Sequence, residues 1–275
     1  MACKSFIIAS IVCYHTADRE LEQAIASLAT DFVRRIYIVD NSKSEATRNL
    51  CQRLGSQNPK IEYIPNENTG YGAAHNLAIR RHLDENEGFH LAMNPDVRFN
   101  PDDLSRLIEA IESDPTIGMV QPRIVNPDGS LQYTVRLLPT PFDLVLRRFL
   151  PRLMFPKRRA RYELRCIDHD REFNVPYHQG SFMVLRYEAL RRAGLFDERF
   201  FMYPEDIDLT RRVHALYRTP YVPSMTVVHD HRAASYRSVR MLRIHVVNMV
   251  RYFNKWGWFN DPDRRRFNRE TLRQQ

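Results

Sequence analysis

The first 115 residues alternate short apolar runs with segments of helical period, and this alternation restricts the fold more than any other feature of the chain. Ser5 to Tyr14 is an apolar strand run, after which Leu21, Ala24, Ile25 and Leu28 recur at helical spacing. Arg35 to Asp40 is a second strand, closed by the polar turn Asp40-Asn41-Ser42 and followed by a helix from Glu45 to Leu54. Ile61 to Pro65 is a third strand, Gly70 to Leu83 a helix opened by a glycine turn, and Phe89 to Met93 a fourth strand. Asn100 caps the next helix, with Pro101 at its first position and Leu104, Leu107, Ile108 and Ile111 on one face. Strands alternating with helices at this length predict an α/β fold, a mostly parallel sheet flanked by helices. Ligands bind such sheets beyond the carboxyl ends of the strands, where Asp40, Asn68 to Gly72 and Asn94 to Asp96 all fall.

The second half is less regular. Met119 to Val125, Gln179 to Arg186 and Tyr221 to Val228 read as strands, and Tyr187 to Ala193 as a helix ended by Gly194. Positions 242, 246, 249, 253 and 256 are all apolar or aromatic, which predicts an amphipathic helix over 238–256. We expect one compact domain over 1–235, with a nucleotide-binding half (1–115) and an acceptor-binding half (116–235), and a basic amphipathic C-terminal helix and tail over 236–275. At 43% apolar residues the chain can build a real core, and no stretch reaches the length of a membrane span. Lys4 and the apolar run from Phe6 resemble a signal peptide only superficially, since the run is short and no small-residue cleavage site follows. Cys3, Cys13, Cys51 and Cys166 show no paired spacing, which suits reduced thiols and a cytoplasmic location.

The net charge of +8 is concentrated. Residues 147–165 hold eight Lys/Arg and one acid, and residues 236–275 hold ten and three, so each segment carries +7 and the remainder −6. Phe142, Leu144, Leu146, Phe149, Leu150, Leu153, Met154 and Phe155 interleave with Arg147, Arg148, Arg152 and Lys157 to Arg159. Apolar and cationic residues mixed in this way suit shallow insertion at an anionic membrane surface; the alternatives are packing on the core or a homodimer contact.

Two acidic motifs carry the chemistry. Asn94-Pro95-Asp96 ends a strand, where one carboxylate can hold a cation against a phosphate. Glu205, Asp206 and Asp208 crowd three carboxylates into four positions behind Tyr203-Pro204. Such crowding raises carboxyl pKa values toward working pH, as a general base requires; acids at a helix N-terminus are the plainer explanation. The turn Asn66 to Asn76 carries Gly70 and Gly72, which permit close backbone approach to an anion, but it lacks the spacing of a dinucleotide fingerprint or a P-loop. Asp40, taken alone, is better explained as a turn residue than as a contact to a base or ribose. His229-Asp230-His231 follows a strand, but no third ligand lies nearby in sequence, so His229 reaching a metal-bound diphosphate suits it better than a zinc site.

In order and spacing, the stretches IVCYHTA, IVDNS, NENTGYGAAHN, LAMNPDV, QGSFMVLR, GLFDERFFMYPEDIDLTRR and VVHDH resemble the family-2 inverting glycosyltransferases of the GT-A fold. The likeness is greatest to the rhamnosyltransferase-like members that build bacterial surface polysaccharides, and it runs from about residue 7 to 231. It implies a nucleotide-diphosphate sugar donor, a lipid-linked saccharide acceptor, and Mg²⁺ or Mn²⁺ as cofactor. Tyr14, His15, Asp40, Asn41, Asn68, Gly70, Tyr71, Gly72, Asn76, Asn94 and Asp96 would line the donor site. Asp96 and His229 would attend the metal. Asp206 would be the catalytic base with Glu205 beside it, and Gly180, Ser181 and Tyr203 would border the acceptor. The chain departs from the family twice: Tyr14-His15 stands where Tyr-Asn is usual, and Asn94 where many relatives carry a first Asp. The single remaining carboxylate implies a metal held chiefly by the diphosphate.

Two other classes fit less well. A nucleic-acid-binding protein would suit the isoelectric point of 9.4, but no zinc-finger, homeodomain or RRM signature is present. A nucleotidyltransferase would want a Gly-rich, basic loop after the first strand, whereas Cys13 to Glu20 contains no Gly and only Arg19.

Overall fold

The structure, a computed structural model, describes residues 6–84, 88–149, 151, 154–230 and 239–274. Cys3, Leu150, Arg152, Leu153, His231 and residues 236–238 lie outside this range. The first half runs β1 (Ile7–Cys13), α1 (Asp18–Ser27), β2 (Val33–Asp40), α2 (Glu45–Gln57), β3 (Ile61–Pro65), α3 (Tyr71–Arg80), β4 (Phe89–Met93), β5 (Val97–Arg98) and α4 (Leu104–Ser113). The second half opens with β6 (Met119–Val125), β7 (Val135–Arg136), α5 (Pro141–Phe149), α6 (Pro156–Tyr162), β8 (Phe173–Asn174), β9 (Tyr177–His178) and β10 (Phe182–Arg186). It continues with α7 (Tyr187–Ala193), α8 (Glu205–His214), β11 (Pro220–His229), α9 (Val239–Trp256) and α10 (Pro262–Leu272).

The main sheet has the order β3-β2-β1-β4-β10-β6-β11-β5, with β8 added beside β11. β1 to β4 pair in parallel throughout, as the alternation predicts, whereas β5 pairs antiparallel with β11. β10 then enters antiparallel between β4 and β6, so the sheet as a whole is mixed. All seven residues of β1 are buried because helices cover both faces. Ile7, Ala9, Ile11 and Cys13 enter one core cluster with α1, α2 and α4, and Ile8 and Val12 enter the other with α3, α7 and α8. This is the two-residue period of a strand. Cys13 and Cys51 are buried thiols and Cys166 an exposed one, with no disulfide among them.

The expected tail is part of the body. Met249, Tyr252, Phe253 and Phe267 from α9 and α10 share a core cluster with Tyr177, Phe200 and Ile207. Burying such side chains is worth ~1.5–3 kcal/mol each, far more than a loosely attached tail would hold. Two polar clamps reinforce it. Arg211 donates twice to Asp261, at 2.6 Å each, and Trp256 donates to Asp208 at 2.8 Å. Packing therefore does not divide the chain at 235. α10 was not anticipated, because its sequence is too polar to show a stripe. Its signal is the start: Asp261 accepts from the Arg264 N–H, with Pro262 at the first turn. Among the described residues no helix is long and apolar enough to cross a membrane.

Candidate active site

One dipeptide joins the two acidic motifs. The Gly180 N–H donates to Asp206 Oδ2 at 3.1 Å, and the Ser181 carbonyl accepts from the Asn94 N–H at 2.9 Å. The antiparallel entry of β10 makes this possible, because it sets Phe182 against Met93 at the end of β4. Gly180 is needed for closeness: a Cβ there would lie 3.3 Å from the Tyr71 ring and 3.4 Å from Asp206 Cβ. Tyr71 donates to the Gly180 carbonyl. Its own pKa is pushed up by burial and then by Glu205, Asp206 and Asp96, which places its hydroxyl within the field of both motifs.

The three acids of the second motif separate into two roles. Asp206 accepts from Gly180, from the Ile207 N–H at 2.8 Å and from the Tyr177 hydroxyl at 3.5 Å. The pKa of Glu205 is raised well above its ordinary value by burial and then by the neighbouring Asp206, which favours the neutral form. Asp208 turns away from the site. It is fully buried and binds Arg212 at 2.9 Å, Lys255 at 2.7 Å and Trp256, tying α8 to α9. The helix-start explanation also holds, since all three acids lie in the first turn of α8.

Pairing of β11 with β5 sets His229 opposite Val97, one residue from Asp96. His229 Nε2 lies 3.4 Å from Asp96 Oδ1. Gln132 fixes the ring: its amide nitrogen donates to Asn126 Oδ1 and to the His229 carbonyl, 2.7 Å each, which turns its oxygen to His229 Nδ1 at 2.9 Å. Nδ1 is therefore the donor and Nε2 faces the carboxylate. Asp96 Oδ1 is buried with no hydrogen-bond donor among the described residues. Two ligands about 2.1 Å from one cation and at right angles would stand about 3 Å apart, so this pair fits a divalent ion. Among the described residues no three His, Cys, Asp or Glu side chains converge on such a point. Gln132 was not singled out in the sequence, because its role depends on strands that meet only in the fold.

Several donor-site expectations receive a different explanation. Asn76 is fully buried; its amide donates to the Phe196 carbonyl and to Glu198 and accepts from the Phe196 N–H. It braces the segment leading to α8 and presents nothing to a ligand. The glycines of the α3 turn serve packing as well. A Cβ on Gly70 would lie 2.3 Å from the Phe201 carbonyl oxygen, and one on Gly72 would lie 2.7 Å from Phe196 Cβ. The Tyr71 N–H, expected at an anion site, donates to that same Phe201 carbonyl at 2.9 Å. Asp40 is fully buried, and its two oxygens accept from Ser42 twice, from the Ser44 N–H and from the Tyr63 hydroxyl. Those four bonds fill a carboxylate, as the turn reading requires. Asn41 links to Asn66 and Asn68 across the same strand ends.

The remaining residues border the opening. Tyr14 and His15 are exposed at the end of β1, their rings 4.5 Å apart. Asn94 is half-buried beside Asp96, and Ser181 is buried, its hydroxyl without a partner among the described residues. Tyr203 packs edge-on against His245 of α9 at 5.3 Å. Sequence reasoning also missed Arg136 and Tyr177. Buried Arg136 donates to the Tyr177 hydroxyl at 3.2 Å, and that hydroxyl reaches Asp206, so a cation backs the carboxylate through one phenol.

Known proteins resemble this chain in sequence and in fold. The profile of glycosyl transferase family 2 matches residues 9–194. An N-acetylglucosaminyl-diphospho-decaprenol L-rhamnosyltransferase of Mycobacterium tuberculosis is 33% identical over 232 residues, covering 78% of this chain and 73% of that protein. The rhamnosyltransferase WbbL of Escherichia coli K12 is 28% identical over 251 residues, covering 88% and 90%. Among solved structures, GalNAc-T7 with UDP, GalNAc and Mn²⁺ superposes with a TM-score of 0.67 at 15% identity, over 93% of this chain and 49% of that one. The present chain thus spans about half of its length. A mannosyltransferase of Pyrobaculum calidifontis in complex with GDP-Man and Mn²⁺ gives 0.63 at 18%, over 98% and 69%. These two likenesses establish the fold. The residues, the fold and the matched profile together show that this chain belongs to glycosyl transferase family 2.

Proposed function

We propose that this glycosyltransferase moves a rhamnosyl unit from a nucleotide-diphosphate sugar to a hydroxyl of a lipid-linked saccharide, inverting the anomeric carbon. The observation that carries the mechanism is the pair of bonds from Gly180–Ser181 to both acidic motifs, which fixes the base and the leaving-group side in one frame. Asp206 accepts the proton of the acceptor hydroxyl, and that oxygen attacks from the face opposite the diphosphate. The raised pKa of Glu205 favours a form that can donate a hydrogen bond, which suits orienting Asp206 or the acceptor. Tyr71 and Gly180 pack beside Asp206 and hold its carboxylate in place. Asp96 and His229 would hold a divalent cation, Mg²⁺ or Mn²⁺, which when bound offsets charge on the leaving diphosphate. The Mn²⁺ in both structural neighbours supports this assignment.

The names of the two rhamnosyltransferases, one of which carries a diphospho-decaprenol acceptor, support the sugar and the lipid-linked acceptor. We place the reaction in the cytoplasm, at the inner face of the cytoplasmic membrane. Exposed Phe142, Val145, Met154 and Phe155 around α5, and exposed Val246, Val247 and Val250 on α9, support an anionic membrane surface as partner.

A donor screen by thermal shift tests the reading. At ~100-fold excess over its dissociation constant a ligand adds about 2.7 kcal/mol, a visible rise in melting point. We expect a metal-dependent rise with one thymidine- or uridine-diphosphate sugar, lost in Asp96→Ala. No rise with any nucleotide sugar would reject the proposal.

A further inference from the structure

The two basic segments are far apart in sequence, yet the fold brings them together. α6 from the first and α10 from the second line an open groove of about 570 Å³. Arg161, in the last turn of α6, faces Arg265, Arg269 and Arg273, which follow one another at i, i+4 and i+8 and so lie on one face of α10. Exposed Phe259 and Thr140 complete the wall nearest α5, and none of the groove's nine lining residues is acidic.

Among the described residues no carboxylate pairs with Arg161, Arg265, Arg269 or Arg273. Nearby cations are paired: Arg158 with Asp143, Arg165 with Glu163, Arg266 with Asp263, and the buried Arg264 reaches Asp261. Among the described residues Arg161, Arg269 and Arg273 have no carboxylate within ion-pair distance, and Arg265 bonds only the Phe259 carbonyl and Asn260. Four like charges around one groove repel each other unless an anion sits among them. The planar guanidinium fork matches phosphate oxygens two at a time.

We propose that this groove binds the phosphate head group of an anionic membrane lipid. The rim favours a lipid over a dissolved anion. Phe259, lining the groove, is 82% exposed, and Phe155, which precedes α6, is 48% exposed with Phe142 packed edge-on at 5.5 Å. An exposed ring on a cationic groove, with a second exposed aromatic pair at the start of the neighbouring α6, buries little in water but enters the head-group layer readily. The inference deepens the proposed reading by naming the contact that holds the enzyme where a lipid-linked acceptor stands. It does not depend on turnover, so its failure would leave the transferase reading intact.

The test is co-sedimentation of the whole chain with phosphatidylglycerol-containing vesicles and with pure phosphatidylcholine vesicles, alongside a thermal shift with inorganic diphosphate. We expect wild type to bind the anionic vesicles at low salt and release at high salt. Each surface cation removed should weaken binding about five-fold, so the double variant Arg161→Gln/Arg269→Gln should lose about 25-fold, and Arg273→Gln alone about five-fold. Phe259→Ser should also weaken binding, although it changes no charge. These side chains are exposed, so the variants should melt with wild type in the absence of vesicles. Equal vesicle binding by wild type and the double variant would overturn the proposal. So would a diphosphate-dependent rise in melting point that the double variant loses, without vesicle binding, which would make the groove a site for a soluble anion. An unaltered Phe259→Ser would refute the lipid contact.

Discussion

Acidification should unfold this protein well before its surface carboxylates titrate. Four buried histidines are held neutral. Burial lowers His75 and His214 to about 3 and His178 to about 4, and takes His90 well below its ordinary value. Their contacts are made by neutral rings. Ser10 Oγ lies 2.6 Å from His75 and 2.7 Å from His90 between two sheet strands and α3, and His214 bonds Thr219 at 2.6 Å. The sign follows from the direction of the shifts. A histidine whose folded pKa is depressed contributes stability above its unfolded pKa, about 6.5, and loses it as the pH falls. Between pH 7 and pH 5 His75, His214 and His178 each cost about 2 kcal/mol, about 6 kcal/mol together, and His90 adds in the same direction. Glu205 works the other way. Its raised folded pKa means the native state binds a proton more readily than the unfolded chain, which offsets part of this loss over the same interval. A loss of this order is comparable with the whole stability of an ordinary domain. Asp197, whose pKa is lowered by hydrogen bonds from Arg199 and Lys255, matters only below the ordinary carboxylate range. Urea denaturation followed by circular dichroism at pH 7, 6 and 5 should show the midpoint falling steeply, with steady slope. A midpoint that stays constant from pH 7 to pH 5 would refute neutral burial of these rings.

Two further changes probe the site's frame. Gly70→Ala places a Cβ 2.3 Å from the Phe201 carbonyl at a φ of 109°. Backbone strain of ~1–3 kcal/mol and overpacking of similar size should lower the urea midpoint, whereas a neutral result would show that the turn gives way. Gln132→Leu removes the bond that orients His229 and should weaken apparent metal affinity 10–100-fold, as loss of such an outer partner generally does. A metal titration of donor binding measures this; an unchanged midpoint would sever Gln132 from the site.

The legible features were those that act locally. β1 and β2 declare themselves by β-branched runs, β4 by a short apolar run, and Asn100 and Gly194 by capping chemistry that needs only neighbours in sequence. The second acidic motif was found because its carboxylate density is visible without a fold, and the first because its one carboxylate closes an apolar strand run. What escaped depends on distant pairing. That Asp208 belongs to α9 while Asp206 belongs to the site is decided by Trp256 and Lys255, some fifty residues away. Asn76 and Gly70 look like ligand residues in sequence because tight packing and ligand approach require the same residue types. Only Phe196 and Phe201 show which requirement operates here. α10 escaped because its arginines mask its period, although Asp261-Pro262 marks its start.

The central claim is that Asp206 removes the acceptor's proton while Gly180–Ser181 holds it in register with Asp96. Asp206→Asn tests it most directly, because the amide still accepts from Gly180 but is no longer a base. Turnover with the donor identified by thermal shift and a lipid-linked saccharide acceptor should fall by a factor of about 100 or more, with metal-dependent donor binding retained. Turnover near wild type would contradict the account.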